Sequence, residues 1–207
     1  MKKFSLLLLT SMFLGSILLY STLPAQMPMH WNIHGQIDSY MKKDIAVSLL
    51  PLLTAGMFIL FKAIPRLDPK KNKYKLFKKE WEIIQVTLIS FFTYLHFMIF
   101  LVSIRPEISF VPLLFFGIGI LFIIIGNYLP TIKQNYFVGI KIPWTLSSAE
   151  NWDRTHRFGG KCFIVSGVII LFEAFSPWNA PIIIFASLFL SVVFPVIYSY
   201  IIFSSNR

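Results

Sequence analysis

The stretch Leu121-Phe122-Ile123-Ile124-Ile125 lies within an apolar run over residues 110–129 and has no polar face. A helix that is apolar all round is buried, either in a protein core or in a lipid bilayer. A transmembrane barrel would instead need segments of about ten residues in which apolar and polar side chains alternate. The run shows no such alternation and has the roughly 20 residues that a membrane-spanning helix requires. It therefore predicts a helix that crosses a membrane.

Similar apolar runs occur along the whole chain, at residues 4–23, 45–64, 81–104, about 158–176, and 181–203. The 207 residues are 56% hydrophobic and 14% charged, whereas soluble domains have about 45–50% and about 25%. This composition excludes a disordered chain and a soluble cytosolic enzyme, and the single Cys162 excludes a disulfide scaffold. The run at 4–23 lacks a small-x-small cleavage site, which favours a helix over a signal peptide. The predicted fold is an all-α, polytopic membrane protein with six transmembrane helices.

The positive charges predict how this bundle is oriented. The formal net charge is +10, with 19 Lys and Arg residues. Cytoplasmic loops of membrane proteins carry an excess of these residues. If the amino terminus is cytoplasmic, all of them except Lys42, Lys43 and Arg105 fall on the cytoplasmic side. We therefore expect both termini in the cytoplasm, and the basic excess requires no direct contact with nucleic acid.

Three connections are long enough to hold structure outside the membrane: 24–44 outside, and 65–80 and 130–157 inside. We accordingly divide the chain into two parts. Residues 1–64 form the first two transmembrane helices with the extracellular loop 24–44. Residues 65–207 form a four-helix membrane region with an elaborate cytoplasmic loop at 126–161.

Several local patterns organise this cytoplasmic loop. Ser147 and Glu150 have the spacing of a capping box and predict a helix start. Trp152 and His156 are four residues apart and would share one face of that helix. Upstream, Gly139 and Pro143 favour an extended segment. Downstream, the pair at 159–160 predicts a flexible link into the fifth span. The alternative interpretation of the aromatic side chains is an anchor at the membrane interface.

Four runs in this region closely resemble the signature of the SdpI family of bacterial membrane proteins: Gly126-Asn127-Tyr128-Leu129-Pro130, Asn135-Tyr136-Phe137-Val138-Gly139-Ile140-Lys141, Pro143-Trp144-Thr145-Leu146, and Thr155-His156-Arg157-Phe158-Gly159-Gly160-Lys161. The outer loop resembles the small domain of unknown function that often precedes this signature, at Pro28-Met29-His30-Trp31-Asn32, Gly35, Asp38, Tyr40 and Lys43. One departure is Lys141-Ile142, where the family commonly has Arg-Thr. Lys141 keeps the charge but lacks the forked donors of an arginine.

The resemblance implies an immunity protein of the bacterial plasma membrane that protects its cell from a secreted, membrane-active peptide toxin. It also implies a second role, in which the toxin-occupied protein holds a cytosolic transcriptional repressor at the membrane. No metalloprotease, nucleophile-elbow or phosphate-loop motif is present, so we expect neither an enzyme nor a cofactor. The lysine-rich segment 69–75 has the size of a cluster that binds anionic lipids, or it is only an orientation signal. The alternative function is a small transporter or channel.

Candidate binding residues follow from these patterns. The outer loop contributes His30, Trp31, Asn32, Gly35 and Asp38, and the spans contribute His96 and Glu173. The inner loop contributes Asn127, Gly139, Lys141, Pro143, Trp144, Thr145, Trp152, His156 and Arg157.

Two of these groups allow more than one interpretation. The spacing of His30, His34 and Asp38 would suit a metal on a helix, but Pro28 and Gly35 favour two extended pieces around a turn at 32–35, so we expect no metal. His96 and Glu173 both fall in the outer half of the bilayer, and a shared polar pocket open to the outside is one hypothesis for them. The alternatives are a neutral His96 bonded to a neighbouring helix and a Glu173 that reaches the outer surface.

Overall fold

A computed structural model describes residues 1–175 and 180–205, most of which are helical. Its helices are α1 (Lys2–Leu18), α2 (Lys43–Leu67), α3 (Lys78–Ile104), α4 (Phe110–Tyr128), α5 (Pro143–Ser147), α6 (Ala149–Phe175), α7 (Ala180–Leu188) and α8 (Phe194–Ser205). A π-helical turn, Phe189–Val193, joins α7 to α8. Short 3-10 segments occupy Tyr20–Thr22, Lys71–Lys75 and Leu129–Thr131. Residues 176–179, between the fifth and sixth predicted spans, and residues 206–207 lie outside the described residues.

Five helices within the described residues are long and apolar enough to cross a membrane: Lys43–Leu67, Lys78–Ile104, Phe110–Thr131, Ala149–Phe175 and Pro181–Ser205. They coincide with five of the six apolar runs, so the prediction of a multi-pass helical membrane protein is confirmed to that extent. The first run forms α1, which is shorter at 17 residues. The sixth span and the orientation therefore remain predictions.

The predicted outer loop forms a β-hairpin. Strands β1 (Gln26–Trp31) and β2 (Ile37–Lys42) pair antiparallel, with irregular register between Pro28 and Trp31. Gly35 in the connecting turn has φ +76°, a conformation that glycine adopts without strain. The two predicted extended pieces around a turn at 32–35 are thus confirmed, and they add a small sheet to the predicted all-α fold.

The two ends of the bundle carry different elements, and we name them accordingly. The hairpin side holds β1, β2 and the α3–α4 connection. The loop side holds residues 68–77 and 129–148. A buried apolar core lies towards the loop side and includes Phe77, Trp81, Ile89, Ile132 and Trp152. A smaller core beneath the hairpin is formed by Leu23, Met27, Ala46, Val47 and Phe100.

Helices α4 and α6 approach each other closely through paired glycines. A Cβ atom added to Gly160 would lie 2.6 Å from the Gly126 carbonyl oxygen. A Cβ atom added to Gly167 would lie 2.7 Å from the Gly119 carbonyl oxygen. Small residues permit such backbone contact between membrane helices. The predicted flexible link at Gly159–Gly160 is wrong, since α6 is one uninterrupted helix from Ala149 to Phe175 and its glycines serve packing.

The start of α6 also differs from the predicted capping box. Pro143 begins the short helix α5, which extends through Ser147. The Ser147 hydroxyl donates to the Trp144 carbonyl oxygen at 3.1 Å. The cap is instead Ser148, whose hydroxyl oxygen accepts a hydrogen bond from the Asn151 N–H at 3.2 Å. The cap lies one residue later than predicted because α5 incorporates Ser147.

Candidate functional site

Asn135 organises the irregular loop at 129–148. Its fully buried side chain accepts hydrogen bonds from the backbone N–H groups of Phe137 (2.9 Å) and Val138 (2.7 Å). Its amide nitrogen donates to the carbonyl oxygens of Lys133 and Val138, both at 2.9 Å. A buried backbone needs partners for these groups, and here no helix or strand supplies them. The Asn135 side chain therefore supplies the hydrogen-bond partners that a helix or strand would otherwise provide.

Asp68 joins this loop to the lysine-rich segment. Its side chain is 1% exposed and accepts hydrogen bonds from Lys70 N (2.7 Å), Tyr136 N (3.0 Å) and the Tyr74 hydroxyl (3.1 Å). The Tyr74 hydroxyl also lies 3.2 Å from Asn135 Oδ1. Burial and the neighbouring Asp68 carboxylate raise the pKa of Tyr74, so its hydroxyl stays protonated and able to donate. The two loop-side segments form one polar unit.

Gly139, Trp152 and His156 form a second group of contacts that holds the loop in place. The Trp152 and His156 rings stack with centroids 4.0 Å apart, which confirms that they share a helix face. The Ile140 N–H donates to His156 Nε2 at 3.0 Å, so Nε2 is unprotonated and Nδ1 donates to the Trp152 carbonyl oxygen at 2.8 Å. Gly139 has φ +111°, and a Cβ atom there would collide with His156 Nε2. Only glycine suits this position.

The rest of the loop is held against α6 and α8. The Thr145 hydroxyl donates to the Ile140 carbonyl oxygen at 2.7 Å and accepts from the Ile142 N–H at 3.1 Å. Trp152 is fully buried and its indole N–H donates to the Ile132 carbonyl oxygen at 2.8 Å, so it is not an interfacial anchor. The Trp144 ring contacts the Tyr200 ring of α8, with centroids 5.1 Å apart.

Four other candidates of this region are exposed: Asn127 near the end of α4, Lys141 and Pro143 in the loop, and Arg157 on α6. The Lys141 ammonium donates to the Phe137 carbonyl oxygen at 2.8 Å. The candidates of this region thus fall into two classes. The buried side chains fix the backbone, and the exposed side chains are available to a partner.

The candidates of the outer loop lie together on the hairpin. His30 Nδ1 and Asp38 Oδ1 are 2.5 Å apart across the two strands, and both side chains are largely exposed. The Trp31 ring stacks on Phe110 of α4 with centroids 3.9 Å apart. Asn32 Oδ1 closes the turn by accepting from the backbone N–H groups of His34 (2.9 Å) and Gln36 (3.0 Å). No metal-binding cluster of three or more His, Cys, Asp or Glu occurs among the residues that the structure describes.

His96 and Glu173 lie on different helices, α3 and α6. His96 is 1% exposed, and its Nε2 lies 3.2 Å from the hydroxyl of Ser16 on α1. It is therefore bonded to a neighbouring helix, as the alternative interpretation stated. Glu173 is 3% exposed on α6 and does not reach the surface. The shared pocket of His96 and Glu173 stays a prediction.

Sequence reasoning missed several side chains of the site, namely Asp68, Tyr74, Asn135, Asn151 and Ser199. Asp68 precedes Pro69, and this pair is a turn signal that could have identified it. Asn135 stood inside the recognised signature but was not singled out. Asn151 and Ser199 bond each other at 2.6 Å across α6 and α8, a pairing that only the three-dimensional structure reveals.

Comparison with known proteins places these elements in families. Residues 131–199 match the SdpI/YfhL protein family, and residues 6–55 match a domain of unknown function, DUF1648. The chain is 28% identical over 171 residues to the immunity protein SdpI of Bacillus subtilis (strain 168), covering 83% of this chain and 80% of that protein. No solved structure is significantly similar to this chain.

The matched ranges correspond to the structural units described above. The DUF1648 match, residues 6–55, covers most of α1, the hairpin and the beginning of α2. The SdpI/YfhL match, residues 131–199, begins in the loop organised by Asn135 and continues through α5 and α6 into α8. The chain therefore carries a DUF1648 domain followed by an SdpI/YfhL-family domain, and it resembles a bacterial immunity protein over most of its length.

Proposed function

We propose that this chain is an immunity protein that protects a bacterial plasma membrane against a secreted, membrane-active peptide toxin. The observation that carries the proposal is the similarity to an immunity protein over 83% of the chain. The two family matches, residues 6–55 and 131–199, cover the hairpin and most of the loop. It acts by binding, without catalysis and without a cofactor.

The proposal includes six spans with the loop side in the cytoplasm. At 17 residues, α1 is about 26 Å long at 1.5 Å per residue, close to the ~30 Å hydrocarbon core. With the loop side inside, all basic residues except Lys42, Lys43 and Arg105 are cytoplasmic. The hairpin then faces the medium from which a secreted toxin arrives.

The hairpin is the proposed site of toxin contact. His30, Asp38 and Tyr40 are exposed on it, and Ile33 at its turn is 59% exposed. A two-stranded sheet also leaves unpaired strand edges, to which an extended peptide can add by backbone hydrogen bonds. The hairpin rests on Phe110 through Trp31, so a bound peptide would lie over the outer ends of the helices.

The test is survival of a toxin-sensitive bacterium that expresses the chain. The challenge is a panel of secreted membrane-active peptides that includes the one to which the Bacillus subtilis relative confers immunity. Wild-type protein should raise the inhibitory dose, and the double variant His30→Ala, Asp38→Ala should lower it again. A matched control is Arg105→Ala, Glu107→Ala, which removes an exposed ion pair of 3.5 Å on the same side, outside the hairpin. An equal loss of protection in both double variants would contradict toxin contact at the hairpin.

We further propose that the exposed face of the loop holds a cytosolic repressor when toxin is bound. Tyr136 (46% exposed) and Phe137 (38% exposed) project from a backbone that Asn135 fixes, and Lys141 lies beside them. A photo-crosslinking residue at Phe137 should capture a DNA-binding protein in toxin-treated cells and not in untreated cells. Capture that does not depend on toxin would contradict this role.

A further inference from the structure

A basic cavity lies on the loop side between α1, α2, α3 and the segment Lys71–Lys75. Its volume is about 400 Å³, within the range of roughly 300–1,000 Å³ usual for small-ligand sites. Six basic side chains line it: Lys2, Lys62, Arg66, Lys71, Lys75 and Lys78. The acidic side chain in the lining is Glu82. The cavity therefore has a large excess of positive charge.

The positive charge is not neutralised within the described residues. No ion pair there includes any of the six basic side chains. The nearby Asp68 is buried and bonded to Lys70, Tyr74 and Tyr136, and it does not line the cavity. Like charges held in one cavity repel each other, and a bound anion removes this repulsion. The cavity thus favours a negatively charged ligand.

The fold holds the basic side chains in place. Tyr74, in the middle of Lys71–Lys75, is 5% exposed and packs edge-on against Trp81 of α3, with ring centroids 5.8 Å apart. Its hydroxyl bonds to Asp68 at 3.1 Å. The lysines of this segment are therefore fixed beside α3 and do not belong to a free tail.

Aromatic side chains form a further part of the lining, which is continuous with the membrane-facing helices. They include Phe58, Phe61 and Trp81, and the Lys62 ammonium lies 4.0 Å from the Phe58 ring centroid. The apolar run of α2 ends at Ile64, two residues before Arg66. The cavity thus lies where the hydrocarbon region gives way to headgroups. A free phosphate would need only the basic side chains, whereas a lipid uses both kinds of surface.

We propose that this cavity binds the phosphate headgroup of an anionic phospholipid, with the acyl chains along α2 and α3. Basic pockets between membrane helices on the cytoplasmic side recognise such headgroups. The site is independent of toxin binding, because it is formed by other residues at the opposite end of the bundle.

The test uses the purified full-length protein in neutral detergent, titrated separately with phosphatidylglycerol, phosphatidylcholine and inorganic phosphate. Thermal unfolding and native mass spectrometry report binding. Phosphatidylglycerol should raise the Tm and remain bound, and the other two should not. Stabilisation by inorganic phosphate alone, or equally by phosphatidylcholine, would overturn the proposal.

Variants locate the site. Lys62→Gln with Arg66→Gln should weaken phosphatidylglycerol binding roughly 30-fold, since each basic side chain near an anionic surface contributes about fivefold. The matched control, Lys79→Gln with Lys161→Gln, removes two exposed charges outside the cavity and should bind as wild type. The charge-preserving pair Lys62→Arg, Arg66→Lys should also bind and shows that folding is intact. Equal binding by the Gln pair and the control would overturn the proposal.

Discussion

At the scale of single residues, Asn135 is the side chain on which the loop most depends. It takes part in five hydrogen bonds, four with the backbone and one with Tyr74. A polar residue in a loop is normally expected to be exposed to solvent, and no sequence pattern distinguishes a buried asparagine from an exposed one. The sequence could therefore predict that this segment matters, but not that Asn135 holds it.

We predict that Asn135→Ala destabilises the protein and lowers protection. The N–H groups of Phe137 and Val138 lose their acceptor, and each buried group left unpaired costs about 1–3 kcal/mol. Thermal unfolding in detergent and the survival assay report the two effects. Asn127→Ala is the control for the unfolding measurement, because Asn127 is exposed. Equal melting of both variants would show that the network contributes little.

Gly139 supplies a second prediction at this scale. Gly139→Ala should destabilise the protein by at least roughly 1–3 kcal/mol, because the positive φ is strained for alanine. The new methyl group would also push against Trp152 and His156. The control is Gly56→Ala, where a Cβ atom meets nothing within 4 Å. If Gly139→Ala unfolds at the same temperature as Gly56→Ala, the tight contact with His156 is not required.

At the scale of elements, apolar runs located the long helices well because a span needs a fixed length of apolar sequence. Local patterns were less successful where tertiary contacts decide the outcome. The pair Gly159–Gly160 looked like a hinge, yet Gly126 on α4 lies opposite and turns it into a packing surface. Likewise, Pro143 was expected in an extended segment and instead begins α5. Neither outcome can be deduced from one helix alone.

The hairpin gives a prediction at this scale. Trp31→Ala should release the hairpin from α4, because the ring stack with Phe110 at 3.9 Å is lost. Limited proteolysis from the hairpin side should then cut within residues 24–44 faster than in wild type. Ile33→Ala, which alters a side chain that is 59% exposed, should not change the cleavage rate. Unchanged cleavage of Trp31→Ala would mean that the hairpin is held by other contacts.

At the scale of the whole molecule, the distribution of charge predicts the topology. In a Cys162→Ser background, a single cysteine is introduced in place of Lys3, His34 or Lys71. Each cysteine is then labelled with a thiol reagent that does not cross membranes. His34→Cys should react in intact cells, and Lys3→Cys and Lys71→Cys only after permeabilisation. Reaction of both Lys3→Cys and His34→Cys in intact cells would contradict a spanning α1, and the fully reversed pattern would contradict the orientation.

Under the proposed function the two ends of the molecule would have separate tasks: the hairpin would contact the toxin, and the loop, fixed by Asn135, Asp68 and His156, would face the cytosol. The sequence could assign the ends through charge and family resemblance. It could not show that the lysine-rich segment and the family signature form one unit, because Tyr74 and Asn135 are distant in the chain and meet only on folding.

Under the proposed function the chain protects a membrane, and the membrane potential of living cells reports this protection. Sensitive cells loaded with a potential-reporting dye receive the killing peptide to which the Bacillus subtilis relative confers immunity. Cells that express the wild-type chain should keep their potential at doses that depolarise cells with an empty vector, and cells with Asn135→Ala should be intermediate. Depolarisation at the same dose with and without well-expressed wild-type protein would contradict the account.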